Sequence, residues 1–246
     1  MEVHHHSHSS RKKFTHYLWE FLMLFLAVFC GFLAEYLLEH KIEREREKQF
    51  IISLVSDLKD DSLSISNQIA SIENNILLFD TLSRFLATPE LARANGEAIY
   101  YCARKGVRLT PLVNNSRTID QLKNSGGFRL IHKQEISNQI MKYYSRYPEL
   151  RMIEDIFAEE NVAFKQAASS VMDQSIYQRQ INPDASVARI PGPLNLLTYD
   201  KESLNQLGFF AVQMNGSRNG MLNMLARLKE SALQLRDYLQ KTYDIE

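Results

Sequence analysis

The chain has 246 residues, 45% hydrophobic and 24% charged, with 29 Lys and Arg balanced by 29 Asp and Glu. That profile excludes long disorder, and a net charge of zero excludes the basic footprint of a dedicated nucleic-acid binder. Nine glycines and six prolines are about half of average usage, which disfavours turn-rich sandwiches, barrels and glycine-loop nucleotide folds, and two distant cysteines, Cys30 and Cys102, exclude a disulfide framework.

Residues 1–15 form a polar tail with His4, His5, His6 and His8 followed by Arg11, Lys12 and Lys13. Four tail histidines can hold a divalent metal loosely, but a tail supplies no fixed geometry. The run YLWEFLMLFLAVFCGFLAEYLL, residues 17–38, has only Glu20 and Glu35 charged. As a helix it reaches roughly 33 Å, enough for a hydrocarbon core of about 30 Å. A transmembrane signal anchor is expected over residues 16–40. A cleaved signal peptide needs small residues at the −3 and −1 positions, and no such pair occurs between Ala27 and Ala34. The bulky Phe29 before Cys30 argues against a lipoprotein in the same way.

Within this span Ala27, Cys30, Gly31 and Ala34 recur at i, i+3, i+4 and i+7. They make a narrow face of small residues on which membrane helices can approach closely, so self-association or a second helix is a candidate partner alongside the lipid bilayer. Glu35 lies one position from that face and either marks a polar contact or reaches the interface. Three basic residues precede the span and four follow it, Lys41, Arg44, Arg46 and Lys48, so counting them does not fix orientation. A basic tail ahead of the apolar run favours the N-terminus inside and the body outside the cytoplasm.

EHKIEREREKQF, residues 39–50, has no Gly or Pro and alternates acids with bases, the pattern of a solvated helical neck. Then Ile51, Val55, Leu58, Ser62, Ile65, Ile69, Ile72, Ile76, Phe79, Ser83 and Leu86 follow 3,4 spacing up to Thr88-Pro89. This predicts a heptad seam on a helix continuous with the span. Thr88 is placed to cap a helix with Pro89 at its first position, and Gly106 to end another over residues 98–106. Ser116 is placed to cap a short helix that Gly126-Gly127 ends. A helix with Ile136, Ile140 and Tyr143 on one face should run to Tyr147-Pro148, and a further helix over 149–180 should bury Leu150, Ile153, Phe157, Phe164, Ala167 and Val171, with Glu160 the exception. Residues 181–199 hold three of the six prolines and read as an irregular crossover. Asp200 should cap a last helix whose seam is Leu204, Leu207, Ala211, Met214, Met221, Leu225, Leu228, Ala232, Leu235 and Leu239, broken only by Arg218.

These elements predict an all-α chain: a transmembrane helix continuing into the long first helix of an antiparallel, roughly four-helix bundle over residues 41–246, with 116–147 and 149–180 as the middle pair. The segments HHHSHSSRKKFTHYLWEFLMLFLAVFCGFLAEYLLEHKIEREREKQF and RTIDQLKNSGGFRLIHKQEISNQIMKYY resemble a family of uncharacterised Gram-negative bacterial single-pass membrane proteins, known only as a domain of unknown function. The resemblance implies a native histidine-rich N-terminus, one membrane helix, a helical body and residence in the bacterial inner membrane. It implies no activity.

No catalytic constellation emerges. A di-iron bundle needs two Glu-x-x-His units, whereas His132 and Glu135 form a pair in reversed order, and His132 reads as a bundle-surface residue. There is no P-loop, G-x-S-x-G, G-x-G-x-x-G or C-x-x-C, so no enzyme, cofactor or metal is expected. Cys102 beside Arg104 and Lys105 is either a thiol of lowered pKa or a free structural thiol. Arg117, Lys123 and Arg129 gather around the glycine break, where they can meet an anion or a partner loop, or simply sit solvated on a kink. Tyr143, Tyr144 and Tyr147 read as packing residues with wet hydroxyls. The expected function is a membrane-anchored interaction or scaffold module with a protein partner or self-association. The alternative is a ligand-sensing domain that signals through its long first helix.

Overall fold

The computed structural model describes residues 14–108 and 112–245. The tail histidines and Arg11 to Lys13 lie outside them. Eight α-helices follow in order: α1 (Phe14–Phe85), α2 (Pro89–Ala94), α3 (Gly96–Gly106), α4 (Arg117–Asn124), α5 (Gln134–Tyr144), α6 (Tyr147–Val171), α7 (Gln174–Arg179) and α8 (Lys201–Tyr243). A 3-10 turn, Gly127–Leu130, sits between α4 and α5. Among the described residues there is no strand, and one isolated bridge joins Ile181 to Val187. The chain is all-α.

The chain divides into two compact units, residues up to Phe50 and residues from Ile51 onward. In the first, α1 carries an apolar stretch long enough to cross a membrane, the one such stretch among the described residues. Every residue from Phe14 to Leu38 is exposed. Phe21, Phe25 and Phe29 stack along one side at 6.3 and 6.1 Å, the i, i+4 neighbours of a helix.

In the second unit the long staves are α1 from Ile51, α6 and α8. Asn215 of α8 meets α1 at Ile76 and Asp80, while Arg218 meets it at Asn75, so numbering rises along α8 as it falls along α1. The two helices run antiparallel. Glu160 of α6 meets Gln213 and Ser217, and Arg146 meets Arg227, so α6 is antiparallel to α8 as well. α1 and α6 therefore run in the same direction, which the long connection through α2 to α5 permits. Their packing is direct, with Phe79 and Phe164 stacked at 4.9 Å.

The seam of α8 is buried at all ten expected apolar positions, and Asp200 caps the helix by accepting from the Ser203 amide at 2.9 Å. Arg218, expected as the break in that seam, is itself 1% exposed. The seam of α1 differs from expectation at its alternate positions, except that Ser62 is buried as expected beside Asp61. Ile51, Leu58, Ile65, Ile72, Phe79 and Leu86 are buried as expected, but between them lie Leu54, Asp61, Gln68, Asn75 and Leu82, each one residue earlier than the apolar reading placed it. Val55, Ile69 and Ile76 sit half-buried on the flank. The reason is that Asp61 and Asn75 find hydrogen-bond partners inside, which removes the penalty that a search for apolar residues assumes.

The break expected at Gly126-Gly127 is present: residues 116–147 form α4, the 3-10 turn and α5, with Gly126 at φ +66 ending α4 and turning the chain. The helix expected over 149–180 stops at Val171; Asp173 starts α7 by accepting from the Ser175 amide at 2.7 Å, a role Asp prefers to a helix interior. Residues 181–199 contain no helix. They are fastened by arginines over rings: Arg93 on Tyr199 at 3.9 Å and Arg189 on Tyr101 at 4.1 Å.

Candidate functional site

One centre gathers on α1 around Asp57 and Asp61, one turn apart and respectively 2% and 1% exposed. Two buried acids on one helix face need donors, and they draw them from distant segments. Asp57 accepts from the amide of Thr118 at 3.2 Å, and the guanidinium of Arg117 approaches it at 3.4 Å. Thr118 is at the second position of α4, so Asp57 is the residue that caps that helix. Ser116, expected to do so, makes no side-chain cap bond, because Asp57 already occupies the amide it would have met.

Asp61 accepts from the Asn115 amide at 2.7 Å through Oδ1. Its Oδ2 accepts from Tyr143 at 2.8 Å and Tyr147 at 3.0 Å, and the two phenol oxygens are themselves 2.9 Å apart. These hydroxyls are buried, not wet as expected, and Tyr144 Oη is buried with no hydrogen-bond partner. The helix turn explains the pair: Tyr143 lies in the last turn of α5, Tyr147 begins α6, and the short corner between them brings both phenols onto one carboxylate.

Burial pushes the Asp61 carboxyl above its ordinary value of 3.8; the donated bonds from Asn115, Tyr143 and Tyr147 oppose the rise, and the nearby charge of Asp57 adds to it. Burial likewise pushes the hydroxyls of Tyr143, Tyr144 and Tyr147 up, so they stay protonated donors. Three oxygens lie within hydrogen-bond reach of one another in a triangle: Asp61 Oδ2, Tyr143 Oη and Tyr147 Oη. With Asp61 ionised two protons serve three edges. With Asp61 protonated every edge has its own proton. The arrangement can hold a proton, and mechanically it clasps α1 to α4, α5 and α6.

Of the sequence-predicted contact residues, Arg117 joins this centre, bonding Asn115 Oδ1 at 2.9 Å as well as Asp57. Lys123 and Arg129 are exposed on α4 and on the 3-10 turn. In the first unit Ala27, Cys30, Gly31 and Ala34 are all exposed, and a Cβ on Gly31 would meet nothing within 4 Å. Cys102 is 2% exposed, and burial pushes its thiol up to about 11, against the opposing charge of Arg189. That removes the lowered-pKa reading and leaves a structural thiol.

Sequence reasoning missed a second centre. Arg218 of α8 donates to Asn75 O at 3.5 Å, to Asn215 Oδ1 at 3.3 Å and to Gly106 O, and its guanidinium lies 4.2 Å from the centroid of the Phe79 ring. Gly106 makes this possible: a Cβ there would come within 2.4 Å of the Phe79 ring. Asn75 bonds Arg108 O at 2.8 Å, so α1, α3 and α8 are tied at one level. Burial lowers the guanidinium to about 10, with Glu160 opposing, so it remains charged at neutral pH. The signal available in the sequence was Arg218 itself, a charged residue on an otherwise apolar seam.

No family model matches the chain, and neither a curated protein nor a solved structure does so. Fold and centres define an all-α chain with one apolar helical stretch fit to span a membrane and a body tied by two buried polar knots.

Proposed function

We propose that the protein is a single-pass membrane protein whose helical body is an interaction or scaffold module. The observation that carries this reading is the apolar stretch of α1, exposed at every residue from Phe14 to Leu38. So much unsheltered apolar surface is stable only in lipid or against a partner. The small face of Ala27, Cys30, Gly31 and Ala34 offers such a helix a close neighbour, either a second copy or another membrane helix. The resemblance to Gram-negative single-pass proteins favours the inner membrane, and the basic tail ahead of the span favours a periplasmic body.

Carbonate extraction of membranes, with intact mass of the purified chain, tests the anchor. Retention in the pellet with residues 16–40 present is expected; a soluble product that begins after residue 30 overturns the reading. Protease treatment of spheroplasts tests the side. The body should be digested without lysis, and protection until lysis would place it in the cytoplasm. Co-purification from solubilised membranes then identifies the partner.

A further inference from the structure

Away from both knots, α3, α6 and α7 border a groove of ≈ 550 Å³. That lies within the range of about 300–1,000 Å³ of small-molecule sites. Its floor is apolar, made by the buried Ala168 and Met172 and the half-buried ring of Tyr177. Two cations stand at it. Arg104 of α3 lies over the Tyr177 ring, 3.6 Å from its centroid, and Lys165 projects from α6.

Stacking is shared by several arginines of the body, Arg84 on Phe85 and Arg93 on Tyr199 among them, but of the stacked ones Arg104 stands at this groove, while others are met by acceptors. Arg117 meets Asp57, Arg189 stacks on Tyr101 but also reaches Glu97 at 3.7 Å, and Arg218 donates to three oxygens. Among the described residues Arg104 has the stacking and no acceptor, Lys165 has none either, and no side chain lining the groove is acidic. Stacking occupies the face of a guanidinium and leaves its N–H edge free, and that edge matches a carboxylate in two parallel bonds. Gln174 adds a neutral donor at the rim, while the Ser169 hydroxyl there donates to the Gln166 carbonyl at 2.7 Å.

We propose that this groove binds a small amphipathic anion, a monocarboxylate with an apolar tail. The tail lies on Ala168, Met172 and Tyr177, and the carboxylate takes the N–H edge of Arg104 with Lys165 as second cation. Affinity comes from apolar burial on the floor, and the sign of the head group is selected by two positive charges with no competing acid.

The test is equilibrium dialysis of radiolabelled decanoate against the full chain held in amphipol, comparing wild type with Lys165→Glu and Ser169→Trp. Both positions are exposed, so neither change touches the core, and partition into the amphipol is common to all samples. One saturable site per chain is expected in the wild type, weakened about tenfold or more by charge reversal at Lys165 and by a ring placed in the groove at Ser169, with the melting temperature unchanged. Decyltrimethylammonium, with the same tail and opposite charge, should show no saturable binding. Absence of a saturable site in the wild type, equal affinity in both variants, or saturable binding of the cation would each overturn the proposal.

Discussion

The two buried polar centres share a helix and solve one problem with opposite charges. The Asp57 and Asp61 centre is acidic and is satisfied by two amides, two phenols and one arginine at the surface. The Arg218 centre is basic and is satisfied by two backbone carbonyls, an amide oxygen and a ring, with no carboxylate in bonding distance among the described residues. A buried carboxyl can shed its charge by taking a proton, whereas a guanidinium keeps its charge and must be bonded all round. The acidic centre is therefore adjustable and the basic one rigid. Removing a partner should hurt the basic centre more.

Arg218→Ala sharpens that contrast most. It empties a volume next to Phe79 and leaves the oxygens of Gly106, Asn75 and Asn215 without their donor. The expected loss is about 3 kcal/mol or more in urea unfolding of the solubilised chain. Arg218→Met keeps much of the volume without burying a charge and should lose roughly half as much. Equal losses would mean that packing alone holds this level of the bundle.

Asp61→Ala comes next, at roughly 2 kcal/mol, since it leaves the Asn115 amide and a phenol unpaired in the interior. Asp61→Asn keeps acceptor and shape and should cost less. The pH dependence distinguishes charge from shape. A carboxyl whose folded pKa is raised binds more proton when folded, so its contribution to stability falls as pH rises from about 3.8 through the raised value. The carboxyls of Asp173, Asp184 and Asp200 are shifted down by bonds to neighbouring serines and give the opposite slope, so the informative quantity is wild type minus Asp61→Asn. That difference should decline with rising pH across this window. A flat difference would mean that Asp61 titrates as it does in the unfolded chain.

How much of this was legible depends on which helix is read. In α8 the apolar residues alone set the register, and all ten expected seam positions are buried. In α1 the same reading holds at Ile51, Leu58 and every seventh residue after, and at Ser62, but misses at Val55, Ile69, Ile76 and Ser83, where Leu54, Gln68, Asn75 and Leu82 take the inner face. Periodicity of apolar residues locates a helix face only to within the polar residues that have found partners. Those partners, the Asn115 amide and the phenols of α5 and α6, lie more than fifty residues away in sequence. The anomalies left over, Glu160 and Arg218, were the useful signal: both were exceptions on otherwise apolar seams, and the two charges act on each other across α6 and α8.

The capping of α4 gives a smaller effect with a clear sign. Asp57→Ala removes the acceptor of the Thr118 amide together with the carboxylate near the helix N-terminus, and about 1–2 kcal/mol should be lost. Ser116→Ala, at the position where a cap is read from the sequence, should stay within about 0.5 kcal/mol, because that hydroxyl bonds no amide of the helix. The reverse order would return the cap to Ser116.

The smallest effect on stability is expected at Lys123 and Arg129, and there the contrast moves from stability to binding. Both side chains are exposed, one on α4 and one just past the left-handed Gly126. Arg117, the third residue of the group, is tied to Asp57, so its replacement by Ala should cost up to about 1 kcal/mol, as an ion pair at the surface does. Arg129→Ala and Lys123→Ala should shift stability by no more than about 0.5 kcal/mol each. If the segment around the glycine break is a contact surface, the double variant should melt with the wild type and yet recover less of whatever protein co-purifies from solubilised membranes. Reduced melting with unchanged recovery would assign these two cations to the corner itself, and the acidic centre beneath them would then be the only reason the segment is held where it is.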